Sequence, residues 1–235
     1  MSSLPDHARK YQFDHNFFKR IDTEEKAYWL GFISADGTVF RTKENGRLLR
    51  LEVTRDDAKH LEKFKRAIKS EHHIYFRYHN DARTGKHYES AELKITSVEL
   101  YNDLNGLGVK TSKQFDFVPS SLVHHFIRGL IDGDGSFGFN YKNRNPYLGF
   151  VDGDYGMVNA VLEILKAVCR SKANHILRAS ENSWFFHITG TFQIPKILDW
   201  IYHDAHVYLE RKHSNYLKLQ GLIANRSGST PSILA

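Results

Sequence analysis

Two segments constrain what this chain can fold into more than any other feature: Trp29-Leu-Gly-Phe-Ile-Ser-Ala-Asp-Gly37 and Ile127-Arg-Gly-Leu-Ile-Asp-Gly-Asp-Gly135. Each reads as an apolar helix that stops at Asp-Gly. Each also places two small residues four positions apart, Gly31 with Ala35 and Gly129 with Gly133. Residues at i and i+4 share one helix face. With almost no side chain there, two such helices can approach more closely than the usual separation of about 8–10 Å between axes. Packed face to face, they would deliver Asp36 and Asp134 side by side at their C-terminal ends.

The surrounding sequence repeats with them. In the first copy Asp22 and Glu25 resemble a capping box with Asp22 as N-cap, and Gly37 is expected to close the helix in a left-handed C-cap conformation. Strands TVFRTK and RLLRLEVT follow around ENG, then a helix over DDAKHLEKFKRAI with Leu61, Phe64 and Ile68 on one face. Strands HHIYFRYH and HYESAELKIT and a helix SVELYNDLNGL complete the unit. The second copy runs in the same order through LVHHFIRGLIDGDG, SFGFNYK, YLGFVD, YGMVNAVLEILKAV, NHILRAS, SWFFHIT and FQIPKILDWIYHDA, with HVYLERKHSNYLKLQGLI appended. The separation of Asp36 and Asp134 equals that of Val53 and Val151, and Ile95-Thr96 matches Ile188-Thr189. The expected fold class is α+β, with two pseudo-symmetric α-β-β-α-β-β-α repeats over 1–118 and 119–225 and a frayed tail at 226–235.

Composition narrows the class. Of 235 residues, 41% are hydrophobic and 26% charged, an ordinary globular balance that excludes disorder as the main state. The single cysteine, Cys169, excludes an intramolecular disulfide and a cysteine-rich zinc site, and its apolar helix marks it as core. No apolar run reaches the roughly 18 residues needed to span a bilayer, and the opening residues lack a secretory h-region. An intracellular, soluble protein is therefore expected. Lys and Arg number 33 against 27 Asp and Glu, a formal charge of +6 that favours a polyanionic partner.

The two helix ends carry the chemistry. One Asp-Gly marks no more than a turn, but two of them, each after a glycine-faced helix in a duplicated chain, point to a shared site. Adjacent carboxylates repel unless a cation lies between them. A helix C-terminus adds partial negative charge and free carbonyls. That oxygen-rich environment suits Mg²⁺.

These segments resemble the two signature motifs of a LAGLIDADG homing endonuclease in its single-chain, two-motif form. The approach YQFDHNFFKRIDTEEKAYWLGFISADG, the inter-repeat GLGVKTSKQFDFVPSSLVHHFIRGLIDGDG and the late YLERKHSNYLKL extend the likeness over nearly the whole chain. The resemblance implies a saddle of two antiparallel sheets with the motif helices at the interface. It also implies cleavage of both strands of a long DNA site with short 3′ overhangs, by a monomer that promotes mobility of its own coding element, as in intron homing. Asp36 and Asp134 would bind catalytic Mg²⁺ (with Mn²⁺ substituting and Ca²⁺ binding without cleavage), helped by the carbonyls of Ala35 and Gly133. Lys113 and Lys212 would supply the basic residues near the scissile phosphates, with Lys110 a weaker match. Ser34 departs from the motif where Asp132 keeps it, which would make the two half-sites unequal. The alternative from another class is a non-cleaving nucleic-acid-binding protein on the same scaffold, a maturase or a regulator.

Strand alternation assigns the DNA-facing side chains. In HHIYFRYH, Ile74, Phe76 and Tyr78 would pack inward and leave His73, Tyr75, Arg77 and His79 outward; in SFGFNYK, Phe137, Phe139 and Tyr141 would pack inward and leave Asn140 and Lys142 outward. Arg and Lys suit guanine and Asn suits adenine in the major groove. The G-x-G-x-x-G spelled by residues 133–138 is no dinucleotide site, because a helix precedes it and a strand follows. His203, His206 and His213 read as polar helix surface, and His72-His73 and His124-His125 as incidental pairs straddling element boundaries.

Overall fold

The computed structural model describes residues 11–80, 85, 87–170 and 176–227, with side chains as far as Ile223. The first half runs α1 (Glu24–Asp36), β1 (Gly37–Arg41), β2 (Arg47–Thr54), α2 (Ala58–Ala67), β3 (Ile74–Asn80), β4 (His87–Thr96) and α3 (Val98–Gly106). The second runs α4 (Val123–Asp134), β5 (Gly135–Asn140), β6 (Asn145–Asp152), α5 (Tyr155–Cys169), β7 (Leu177–Ser180), β8 (Ser183–Thr189) and α6 (Gln193–Tyr202), followed by α7 (Glu210–Ser227). Each half forms a four-stranded antiparallel sheet, ordered β1-β2-β4-β3 and β5-β6-β8-β7. The expected element order is therefore realised twice. Helix α7 enters the first two positions of the expected tail, and the rest of that tail lies outside the described residues. No described helix is long and apolar enough to cross a membrane.

Helices α1 and α4 form the seam. Residues 27–35 of α1 and 125–132 of α4 are all buried, because each helix packs on its partner and on its own sheet. A Cβ on Gly31 would fall on the Phe126 carbonyl oxygen, and one on Gly129 would fall on the Tyr28 carbonyl and lie 2.7 Å from the Phe32 nitrogen. The backbones thus touch where the small residues are. Glu24 and the fully buried Arg128 tie the N-terminal ends together at 2.5 Å, and Arg128 also donates to the carbonyls of Ile201 and Val207.

Several local expectations are corrected. The N-cap of α1 is Thr23, whose hydroxyl accepts from the Lys26 N–H, while Asp22 pairs with the Lys26 ammonium at 2.8 Å. Gly37 and Gly135 are extended, not left-handed, since each helix passes straight into a strand. Glycine is needed there because a Cβ would strike the turn before it, at Ile33 and Ile131. His124 and His125 lie on the first turn of α4, where His124 pairs with Asp204 at 3.1 Å.

The matched valines are not equivalent. Gly37 pairs with Leu51 and Gly135 with Phe150, so the first strands keep the separation of Asp36 and Asp134 while the second strands exceed it by one residue. The extra residue sits in the second hairpin turn, between the pairs Arg41–Arg47 and Phe139–Pro146. In a strand a shift of one residue changes the face. Val53 points to the helices and is 9% exposed, whereas Val151 is on the opposite face and 39% exposed. The counterpart of Val53 is Asp152. Ile95 and Ile188 do correspond, opposite Leu49 and Leu148.

The inward assignment on β3 also changes. Phe76 and Tyr78 share the helix-side face, but β3 is an edge strand beyond the helices' reach, and they are 51% and 76% exposed, gathered round Arg55. Tyr141 follows the end of β5 and is exposed in the turn.

Candidate metal centre at the helix seam

Asp36 and Asp134 end the two seam helices, and the close approach of α1 and α4 brings them together. Gly133 packs against Ala35, and a Cβ on Gly133 would lie 3.3 Å from the Asp36 carboxylate. Two clefts open at this end of the seam. One, of about 520 Å³, contains Asp36, Gly133, Val53, Arg50, Asp57 and Arg211. The other, of about 430 Å³, contains Asp134, Ala35, Ser34, Lys110, Asp152 and Asp154. Each aspartate therefore shares its cleft with the penultimate residue of the opposite helix.

Burial, and then the neighbouring charge of Asp134, push the Asp36 carboxyl up to about 6, against the pull of Arg211, Lys110 and Lys212. Asp134 is raised by burial and then by Asp152, and Asp152 is itself raised by burial. Carboxylates crowded and desolvated in this way, beside helix-end carbonyls, form a donor set suited to a hard divalent cation. The metal-free protein holds Asp36 at a cost above its titration range. A folded-state value raised above the unfolded one means that stability falls as pH rises from about 4 to about 6. Relative to wild type, Asp36→Asn should therefore gain about 3 kcal/mol across that window, measured by chemical denaturation in chelator at each pH; an unchanged difference would refute the shift.

The two half-sites differ more than the Ser34 departure alone foretold. The Ser34 hydroxyl donates to Gln114 and accepts the Lys110 N–H at 3.3 Å. Asp132 at the matching place is fully buried and accepts from Tyr28 at 2.8 Å, from Tyr202 and from the Leu209 N–H at 2.7 Å. Both residues thus anchor the segment that carries a cation to the site. The register shift adds a carboxylate, Asp152, to the Asp134 cleft only.

Among the sequence-assigned cations, Lys212 is buried beneath the seam, its ammonium donating to the carbonyls of Ile131 (3.3 Å) and Gly135, and its charge acts on both aspartates. Lys113 is exposed on a 3₁₀ turn at 112–116 and lines neither cleft. The turn aims Lys110 at Asp134 instead, from a left-handed backbone at φ 66° that follows Gly108. Arg211 faces Asp36 and is held by Asp57 at 2.7 Å. Asp152 and Arg211 were missed in the sequence. Aligning Leu49 and Leu51 with Leu148 and Phe150 by alternation would have exposed Asp152; nothing local distinguishes Arg211 from Lys212.

The faces of both sheets turned away from the helices flank this site. Tyr75, Arg77 and His79 lie on that face of the first sheet, with Arg77 2.6 Å from Glu92 and His79 2.8 Å from Ser90. His73 precedes the strand, not within it. Asn140 lies on the bare face of the second sheet, but its Oδ1 accepts from the N–H groups of Lys142 and Asn143, organising the turn in which Lys142 is exposed.

No model of a protein family matches this sequence, and no curated protein matches it significantly. Solved structures do match the fold. The I-LtrWI LAGLIDADG homing endonuclease bound to target DNA aligns with a TM-score of 0.58 at 13% identity, over 87% of this chain and 91% of that one. The LAGLIDADG homing endonuclease I-GzeII in complex with its DNA target aligns at 0.58 and 10% identity, over 86% and 91%. I-DmoI in complex with DNA and Mn aligns at 0.51 and 16% identity, over 78% and 98%. The chain has the fold of the single-chain LAGLIDADG homing endonucleases.

Proposed function

We propose that this protein is a site-specific DNA endonuclease that cuts both strands of a long duplex target with a divalent cation, Mg²⁺ or Mn²⁺, acts as a monomer, leaves short 3′ overhangs and promotes mobility of its coding element. One observation carries the reading: two half-buried carboxylates, Asp36 raised by burial and by Asp134, and Asp134 raised by burial and by Asp152, stand at the seam between two sheets whose outer faces are bare. The neighbours of the same fold, solved with DNA and in one case Mn, support it.

Asp36 and Asp134 would hold the cation with the carbonyls of Ala35 and Gly133, and Asp152 would join them in one cleft. When bound, a divalent cation there would supply Lewis acidity toward the attacking water and the leaving 3′ oxygen. Lys110 and Arg211 offset phosphate charge, each from its own cleft. Lys212 holds the end of α4 and keeps positive charge beneath the carboxylates. Tyr75, Arg77, His79, Asn140 and Lys142, with His73 at the strand entry, face the groove.

The test is selection of cleaved sites from a randomised duplex library with Mg²⁺, Ca²⁺ or no metal. Cutting at one long site with Mg²⁺ alone is expected; specific binding without cutting in every condition would establish the non-cleaving alternative. Affinity should fall by about a hundredfold or more between 50 and 200 mM salt, because phosphate contacts release counterions. A flat response would remove the duplex from the two faces.

A further inference from the structure

We propose that the two sheets read chemically different halves of one target: hydrogen-bonding base edges on the first, thymine methyl groups on the second. This rests on the DNA-binding reading above and deepens it. The argument comes from the register. Across the bare face of the first sheet, Glu52 lies opposite Glu92, and Glu92 opposite Tyr75. The matching row of the second sheet is Val151 opposite Phe185, and Phe185 opposite Leu177. One step along, Arg50 opposite Lys94 becomes Gly149 opposite His187.

The first row is a web of charges. Glu92 is held by Arg77 and by Lys94 at 3.0 Å, and Glu52 by His79 at 3.1 Å and the Ser90 hydroxyl at 2.7 Å. The second is an apolar row open to solvent, with Leu177 54% and Val151 39% exposed on either side of Phe185. None of the described positions on that face of β5, β6, β7 and β8 is Lys, Arg, Asp or Glu.

An apolar row of this kind needs an apolar partner. It adjoins Asp152 and the Asp134 cleft, so a duplex centred on Asp36 and Asp134 must pass over it. On the major-groove edge of a duplex the apolar group is the thymine C5-methyl, while guanine and cytosine offer acceptors and amino donors. The charged web suits guanine and cytosine, and the apolar row suits thymine.

The experiment uses the full chain and the duplex selected by binding in Ca²⁺. Thymine is replaced by deoxyuridine in one half and then in the other, and each affinity is measured. One half should weaken by about three- to fourfold for each contacted methyl removed, and the other should barely change. Leu177→Ser, at an exposed position, should erase the effect in that same half. Equal responses, no response in either half, or a response that survives Leu177→Ser would overturn the asymmetry while leaving DNA binding intact. Failure to select any duplex would overturn the DNA reading and this inference together.

Discussion

Asp134→Asn should slow DNA cleavage by about a thousandfold or more while the duplex is still bound at least as tightly as by wild type. The substitution keeps the shape of the side chain and removes the charge that a cation needs. Because Asp134 is already raised by burial and by Asp152, losing its charge relieves repulsion in the metal-free protein and does not threaten the fold. Removing a negative group beside the phosphates also favours binding. Asp36→Asn should behave alike. Asp152→Asn should act on one strand only, because the position it occupies in the other half is Val53. Nicking of supercoiled plasmid, with each strand end-labelled, separates these cases. Loss of binding in a folded Asp134→Asn protein, or unimpaired cutting, would remove the aspartates from the chemistry.

Gly129→Ala should lower stability by about 3 kcal/mol and, if folded protein is recovered, abolish cleavage as well. The added methyl would meet the Tyr28 carbonyl and the Phe32 nitrogen, and neither can move without parting α1 from α4. Parting them separates the aspartates, so stability and activity are coupled at this position. Gly221→Ala in α7 is the control: nothing lies within 4 Å of the new methyl, and a helical Gly→Ala change stabilises by roughly 0.5–1 kcal/mol. Urea unfolding of both variants decides the point. Similar curves for the two would mean that the seam is looser than its geometry implies.

The site was half legible in advance. Gly31, Gly129 and Gly133 announced a close helix pair, and the Asp-Gly ends announced what it would bring together, because both signals follow from i, i+4 spacing within one helix. The cations were less accessible. Lys113 and Lys110 are three residues apart, and which of them reaches the site depends on a left-handed residue and a 3₁₀ turn after α3. Asp152 was hidden by an identity that misled: Val53 and Val151 match in spacing but lie on opposite faces.

Order along the chain and spacing within each helix are local properties, and the amino-acid sequence alone determined them: two repeats, two glycine-faced helices and two terminal aspartates. Three-dimensional packing alone decided which side chains stand around those aspartates and what each sheet presents outward. The physical reason is that strand facing has a period of two, so one extra residue in the second hairpin turn puts equally spaced positions of β2 and β6 on opposite faces. By that step Asp152 came to the Asp134 cleft, and Val151 took the outward place that Glu52 holds in the first half.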